Sequence, residues 1–247
     1  MENAACLIQE EKERNDLADS IECIRKRKMK DIMDVEKIRG FLAELSYPLY
    51  FLDFETIYPA EPLFDGVRPY QQIPFMYSLH WTEEEGGELH HTVFFSYPGY
   101  DPRRAIAEEL CSDIPKGVCT VAYNMCFEKA RIRELAELFP DLADHLMDIH
   151  DNMKDLMLPF RRKWYYTDAM EGSYSLKAVL PALYPDDPEL DYSLLDGIHN
   201  GGDASEAYLA MWQNPEDRTP DRCRQLSEYC GLDTYALVKI LEKLRDC

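Results

Sequence analysis

The chain has 247 residues, 46% of them hydrophobic, enough to bury the core of one main α/β domain of roughly 200 residues with an extension at its amino end. No apolar run approaches the roughly 20 residues of a membrane span, and the amino end is acidic rather than a basic stretch leading into an apolar leader, so the expected location is the cytoplasm, away from any membrane. Lys and Arg number 27 against 47 Asp and Glu, and the formal charge of −20 argues against broad electrostatic attraction to phosphates.

In chain order, residues 1 to about 31 are charge-rich, with Glu10-Glu11-Lys12-Glu13-Arg14 and then Arg25-Lys26-Arg27-Lys28, and read as a solvated helix or linker arm. Asp34 is placed to cap a helix whose Ile38, Phe41, Leu42 and Leu45 recur on one face and should pack on the domain. Together these form a helical extension over residues 1–46, with the main domain over residues 47–247. From Pro48 three strands are expected, Leu49 to Phe54, Phe75 to Trp81 and His91 to Tyr97, in a meander punctuated by Gly, Pro and Asp.

Helical spacing follows from Pro102 to Ser112, a strand from Val118 to Tyr123, a helix from about Cys126 to Phe139, and another through Asp144 to Met157. Strand, helix, strand, helix after a meander indicates a mixed sheet flanked by helices. Residues 159–200 are rich in Pro, Tyr and Asp, with one short helical pattern at Ser175 to Leu183. Thr219 as cap and Pro220 at the first helical position open a long final helix carrying Leu226, Tyr229, Asp233, Leu237, Ile240 and Leu244 along one side. The eight cysteines show neither a Cys-x-x-Cys pair nor a His at zinc-finger spacing, so they are expected to be reduced and mostly buried, an iron–sulfur or zinc site being the lesser alternative.

Acids interrupt these apolar patterns at three places. Asp53 and Glu55 stand two residues apart in an otherwise apolar strand, a spacing that projects both from one face. Two carboxylates so placed suit an oxygen-preferring divalent ion; a strand end where both reach water is the competing reading. Glu128 sits in the first turn of a helix after the segment Val121 to Phe127, where an acid also complements the helix dipole. Tyr229 and Asp233, one turn apart, share a core-directed helix face, and a buried Asp bonded to the Tyr hydroxyl would explain them without chemistry.

These residues resemble the DEDD exonuclease superfamily of ribonuclease H-like folds. Asp53-Phe54-Glu55 is similar to its first motif, Asn124 to Glu128 to its second, and Tyr229 to Asp233 to the Tyr-x-x-x-Asp third motif of its tyrosine subclass. Closer still, Tyr47 to Pro74, Gly172 to Lys177 and Asn200 to Ala204 resemble a bacterial family, domain of unknown function 2779, over about residues 40 to 245. In many relatives this domain follows another nuclease-like domain, which would make the chain a fragment or a shorter member. One departure stands out: Glu128 occupies a position where the exonucleases usually carry Asp, and a longer side chain strains near-ideal octahedral geometry.

The resemblance implies a ribonuclease H-like five-stranded sheet and a two-metal phosphodiesterase using Mg²⁺ or Mn²⁺. Asp53 would bridge both ions, Glu55 and Asp233 would each hold one, Glu128 would act from the outer or second position, and Tyr229 would orient water. Local reversal of field by bound cations would offset the acidic composition. Asn124 and Phe127 of the second motif, Tyr70, Gln71 and Gln72 in the loop after the first strand, and Lys177 near a phosphate are the candidate substrate contacts. Turn formation and packing explain the loop residues nearly as well, and for Lys177 a solvated side chain is the better reading. Asp155 is a candidate supporting acid, with a surface role equally open.

The expected function is therefore a 3′-5′ exonuclease on single-stranded DNA or RNA. Its alternatives are a catalytically weak module that binds nucleic acid or a protein partner, and an endonuclease on the same fold.

Overall fold

A computed structural model describes residues 31–247, and the charge-rich arm expected before them lies outside the described residues. The first half comprises β1 (Ile32–Met33), α1 (Val35–Leu42), β2 (Leu49–Ile57), β3 (Ile73–Thr82), β4 (His90–Phe95), α2 (Arg103–Asp113), β5 (Cys119–Ala122) and α3 (Cys126–Leu138). It is followed by α4 (Ala143–Asp151), β6 (Met153–Asp155), α5 (Leu158–Arg161), β7 (Tyr165–Tyr166), α6 (Leu176–Leu183), α7 (Gly201–Gln213) and α8 (Pro220–Arg245).

The main sheet has five strands in the order β4-β3-β2-β5-β6. The β4-β3-β2 meander is antiparallel, whereas β5 and β6 run parallel to β2. β2 is central and apolar except for its acids because both of its faces are covered by helices. Leu49 and Phe51 pack in one core with Ala236, Leu237 and Ile240 of α8, while Leu52 and Phe54 pack in another with Ile106 and Leu110 of α2 and Ile132 and Leu135 of α3. A third cluster joins Ile57, Ile73 and Phe75 to Tyr208 and Met211 of α7, with the Phe75 and Tyr208 rings stacked 3.9 Å apart. Among the described residues, no helix is long and apolar enough to cross a membrane.

Asp34 caps α1 as its spacing predicts, accepting from the Lys37 amide at 3.2 Å, and Ile38 and Phe41 bury against the domain. β1 also joins the body, pairing with β7 as a two-stranded ribbon.

The helix expected through Asp144 to Met157 stops at Asp151, and the chain becomes β6. Asn152 ends the helix by bonding back to the Asp148 carbonyl, and Met153 to Asp155 then pair with Thr120 to Ala122. Three residues are too few to display an alternation of period two, so only the neighbouring strand decides. Helix α7 has no counterpart among the expected elements: its Gly201-Gly202 start reads as a turn, but the Asn200 side chain caps it at the Asp203 amide, 3.0 Å, and burial of Tyr208 holds it. The expectation that the cysteines are mostly buried fails among the described residues, where Cys119 and Cys230 are buried, Cys111, Cys223 and Cys247 are half-buried, and Cys126 is exposed. All six are free thiols; Cys111 and Cys223 lie on helix faces turned partly to solvent, and Cys247 follows the end of α8.

Candidate active site

The first two acids come from β2. The face that carries Leu49 and Phe51 under α8 carries Asp53 and Glu55 two and four residues later. Asp53 is the one residue of β2 that is not fully buried. The β2-β3 ladder breaks its register directly after Glu55: Glu55 pairs with Met76 and Thr56 with Pro74, leaving Phe75 as a bulge. Pro74 lacks the amide hydrogen to continue a regular ladder, and bulges redirect side chains at strand ends.

The third acid comes from α8. Tyr229 and Asp233 lie one turn apart on the face that meets the sheet. Gly231 between them allows a close approach, since a Cβ there would stand 3.3 Å from the His91 ring. The hydroxyl of Thr234, next to Asp233, lies 2.6 Å from Ser78 Oγ and 2.8 Å from His80 Nδ1 on β3, which locks the helix register. Burial pushes the His80 imidazole down to about 3, so this network is neutral around pH 7.

Asp53, Glu55, Tyr229 and Asp233 line one cavity of about 360 Å³, together with Lys177 and Phe127. Gly201 and Gly202 form another wall, and a Cβ on Gly201 would lie 3.7 Å from Glu55 Oε2. Glu55 thus faces the amino end of α7, where the helix dipole partly offsets its charge. Glu55, Tyr229 and Asp233 are only 5%, 4% and 6% exposed.

Crowding of charge sets the protonation of the acids. Burial first, then the charges of Asp233, Glu128 and Glu55, push the Asp53 carboxyl well above its ordinary value, against the pull of Lys177. Glu55 is raised by burial and then by Asp233. Burial lifts Asp233 to about 6, and a 2.5 Å hydrogen bond donated by the Tyr192 hydroxyl, with Lys177, holds it from rising further. Burial also lifts Glu128 to about 8, with a further push from Asp155. The Tyr229 phenol is pushed upward by burial and by the charges of Asp233, Glu55 and Asp53, so it keeps its proton.

Glu128, 2% exposed, does not line the cavity; its charge acts on Asp53, and its Oε2 lacks any hydrogen-bond partner among the described residues. Asn124 does not line the cavity either. It turns the chain from β5 into α3 with φ +64°, and its amide donates to Asp155 Oδ1 at 3.0 Å. Asp155 is therefore a buried support of the second motif, also accepting from the Met157 amide at 3.1 Å. Tyr70 and Gln71 line an adjoining cavity rather than the acidic one, whereas Gln72 borders both. Lys177 reaches the acids: Nζ donates to the Tyr229 hydroxyl at 3.2 Å and to the His199 carbonyl, and lies 4.9 Å from the Tyr192 ring centre.

Two participants escape sequence reasoning. Tyr192 sits in the Pro- and Tyr-rich middle region, where no periodicity points at the acids. Cys230 is adjacent to Tyr229, and its sulfur lies within 4.8 Å of the Asp53 and Glu55 carboxylates. Burial and the surrounding acids push its thiol well up, so it stays protonated and the effective donors are oxygens. A buried set of carboxylates with one lysine as counter-charge fits a divalent, oxygen-preferring cation.

No curated protein and no solved structure matches the chain. The family model described as Domain of unknown function (DUF2779) matches residues 50–175. That stretch holds Asp53, Glu55, Glu128 and Asp155 and ends before Lys177, Tyr192, Tyr229 and Asp233. It spans just over half of the chain, which therefore belongs to the DUF2779 family.

Proposed function

We propose that this domain is a ribonuclease H-like, metal-dependent 3′-5′ exonuclease acting on single-stranded DNA or RNA. The observation that carries the reading is the convergence of Asp53 and Glu55, from the central strand, with Asp233 and Tyr229, from the last helix, on one cavity. A fold gains nothing in stability from collecting like charges in a buried place, so the arrangement calls for a cationic ligand. The polarity of digestion rests on the resemblance of the Tyr-x-x-x-Asp form to exonucleases of that direction.

Asp53, Glu55 and Asp233 would hold Mg²⁺ or Mn²⁺; Glu128, lifted by burial to about 8, would add negative charge only on losing its proton. Bound ions would supply charge relief at the phosphoryl oxygens and activation of water. The protein's own groups do the rest. Tyr229, protonated, orients the attacking water by hydrogen bonding and does not remove its proton. Lys177 places a positive charge beside that hydroxyl, where it can meet a phosphate oxygen. Tyr192 keeps Asp233 oriented and favours its ionised form.

The test incubates the protein and Mn²⁺ with linear strands blocked at the 3′ end, strands blocked at the 5′ end, and circles, as both DNA and RNA. Digestion only where the 3′ end is free is the expected outcome. Digestion of circles or of 3′-blocked strands favours an endonuclease. The unpartnered, largely protonated Glu128 favours a second reading, a weakly active or inactive binding module, and no turnover on any substrate would select it.

A further inference from the structure

We propose that the groove leading from the acidic cavity past Tyr58 and Gln72 to Arg68 and Tyr70 is a stacking track for the nucleotides that precede the scissile bond, so that the substrate is an extended single strand rather than a nucleotide-sized ester. This rests on the nuclease reading for its direction, though the binding it predicts is measurable without turnover. A second cavity, of about 490 Å³, shares Tyr58 and Gln72 with the acidic one, so the two adjoin. Its walls carry two rings turned to solvent: Tyr70 is 70% exposed and Tyr58 45%.

The loop that presents Tyr70 is built rather than slack. Tyr70 adopts φ +59°, a left-handed conformation costly for an aromatic residue. Three hydrogen bonds hold it there: the Tyr70 amide donates to the Pro59 carbonyl at 2.9 Å, the Gln71 amide to the Arg68 carbonyl at 3.1 Å, and the Arg68 amide to Gln71 Oε1 at 3.1 Å. A fold that needed only a turn would put Gly or Asn at this position and would not show a phenol ring to water.

Charge in the groove is sparse. Arg131 is occupied by Glu134, with bonds of 3.1 and 2.8 Å, and by Gln72, and its guanidinium lies 5.2 Å from the Phe127 ring centre. Arg68 has no ion-pair partner among the described residues and supplies the uncompensated cation. Two exposed rings and one available guanidinium amount to a surface that grips bases by their faces and touches about one phosphate. Such a surface works on a chain of net charge −20, because stacking does not need a broad positive field.

The experiment measures fluorescence anisotropy of labelled single strands about ten nucleotides long, phosphorothioate-linked against cleavage, with Ca²⁺ present and KCl varied between about 50 and 200 mM. The parent protein should bind saturably. Tyr70→Asn, which suits the left-handed backbone but removes the ring, should weaken binding roughly 5- to 150-fold without changing the salt slope. Arg68→Ala should weaken binding and reduce the slope of log K against log salt by about 0.7, the signature of one lost single-strand phosphate contact. Both side chains face solvent, so both variants should keep the parent's melting temperature. Absence of saturable binding by the parent, or parent-like affinity in either variant, overturns the track. Binding as described with no hydrolysis of unmodified strands in Mn²⁺ would sustain the track and remove the nuclease reading, whereas hydrolysis with parent-like binding in the variants would do the reverse.

Discussion

At the scale of single residues, the site is a contest between burial, which protonates carboxyls, and the few groups that favour their ionised form. Tyr192 is one such group, through its 2.5 Å bond to Asp233. A hydrogen bond to a charged acceptor contributes about 1.5–3 kcal/mol, so Tyr192→Phe should weaken Mn²⁺ binding roughly 10- to 100-fold. Removing a donor from the carboxylate also raises the Asp233 pKa above its value of about 6, so the pH midpoint for metal binding should move upward. Calorimetric titration at several pH values checks both; an unmoved midpoint would show that Tyr192 only packs there. Tyr229→Phe should behave differently, lowering turnover roughly 10- to 1,000-fold while metal binding persists. Asp53, Glu55, Tyr229 and Asp233 were legible in sequence because each breaks an apolar pattern in an element long enough to define a face. Tyr192 was not, since it lies in a 3₁₀ turn without period.

At the scale of elements, the decisive contact is α8 against β3 and β4. Gly in a helix interior costs about 1 kcal/mol relative to Ala, yet Gly231 sits midway between Tyr229 and Asp233, where the His91 ring leaves no room for a branched side chain. Gly231→Val should push the helix outward, cost about 1–3 kcal/mol in stability and reduce Mn²⁺ affinity at least roughly tenfold. Melting curves with and without Mn²⁺ read both effects, and a Val variant with parent-like stability and metal response would show that this approach does not position the acids. The strands of the meander and the final helix were readable from alternation and from the Thr219-Pro220 start. The short β6 and the Gly-initiated α7 were not, because their stability comes from partners distant in sequence.

For the whole molecule, the buried acids make stability depend on pH and on cations. A carboxyl whose folded pKa is raised stabilises the fold in its protonated form, fully below its unfolded value near 4 and progressively less as pH rises through about 6 for Asp233 and about 8 for Glu128. Without metal, the melting temperature should therefore fall between about pH 5 and 8. Mn²⁺ at about a hundred times its Kd should add about 2.7 kcal/mol, or about 5–11 °C in a chain of this size, and more at pH 8 than at pH 5.5 because the ligands must first lose protons. Asp53→Asn should abolish that rise; an unchanged rise would place the ions elsewhere on the acidic surface.

By itself the sequence determined the meander strands and the long helices, the mixed sheet between helices and the acids that break apolar faces, because these follow from local period and side-chain chemistry. Tertiary structure alone decided that α8 crosses β2 and β3 at the height of Asp53, that Glu128 and Asn124 lie outside the cavity lining, and that Lys177 and Tyr192 join the acids. Those depend on register and close approach between elements far apart in the chain, which no local pattern encodes.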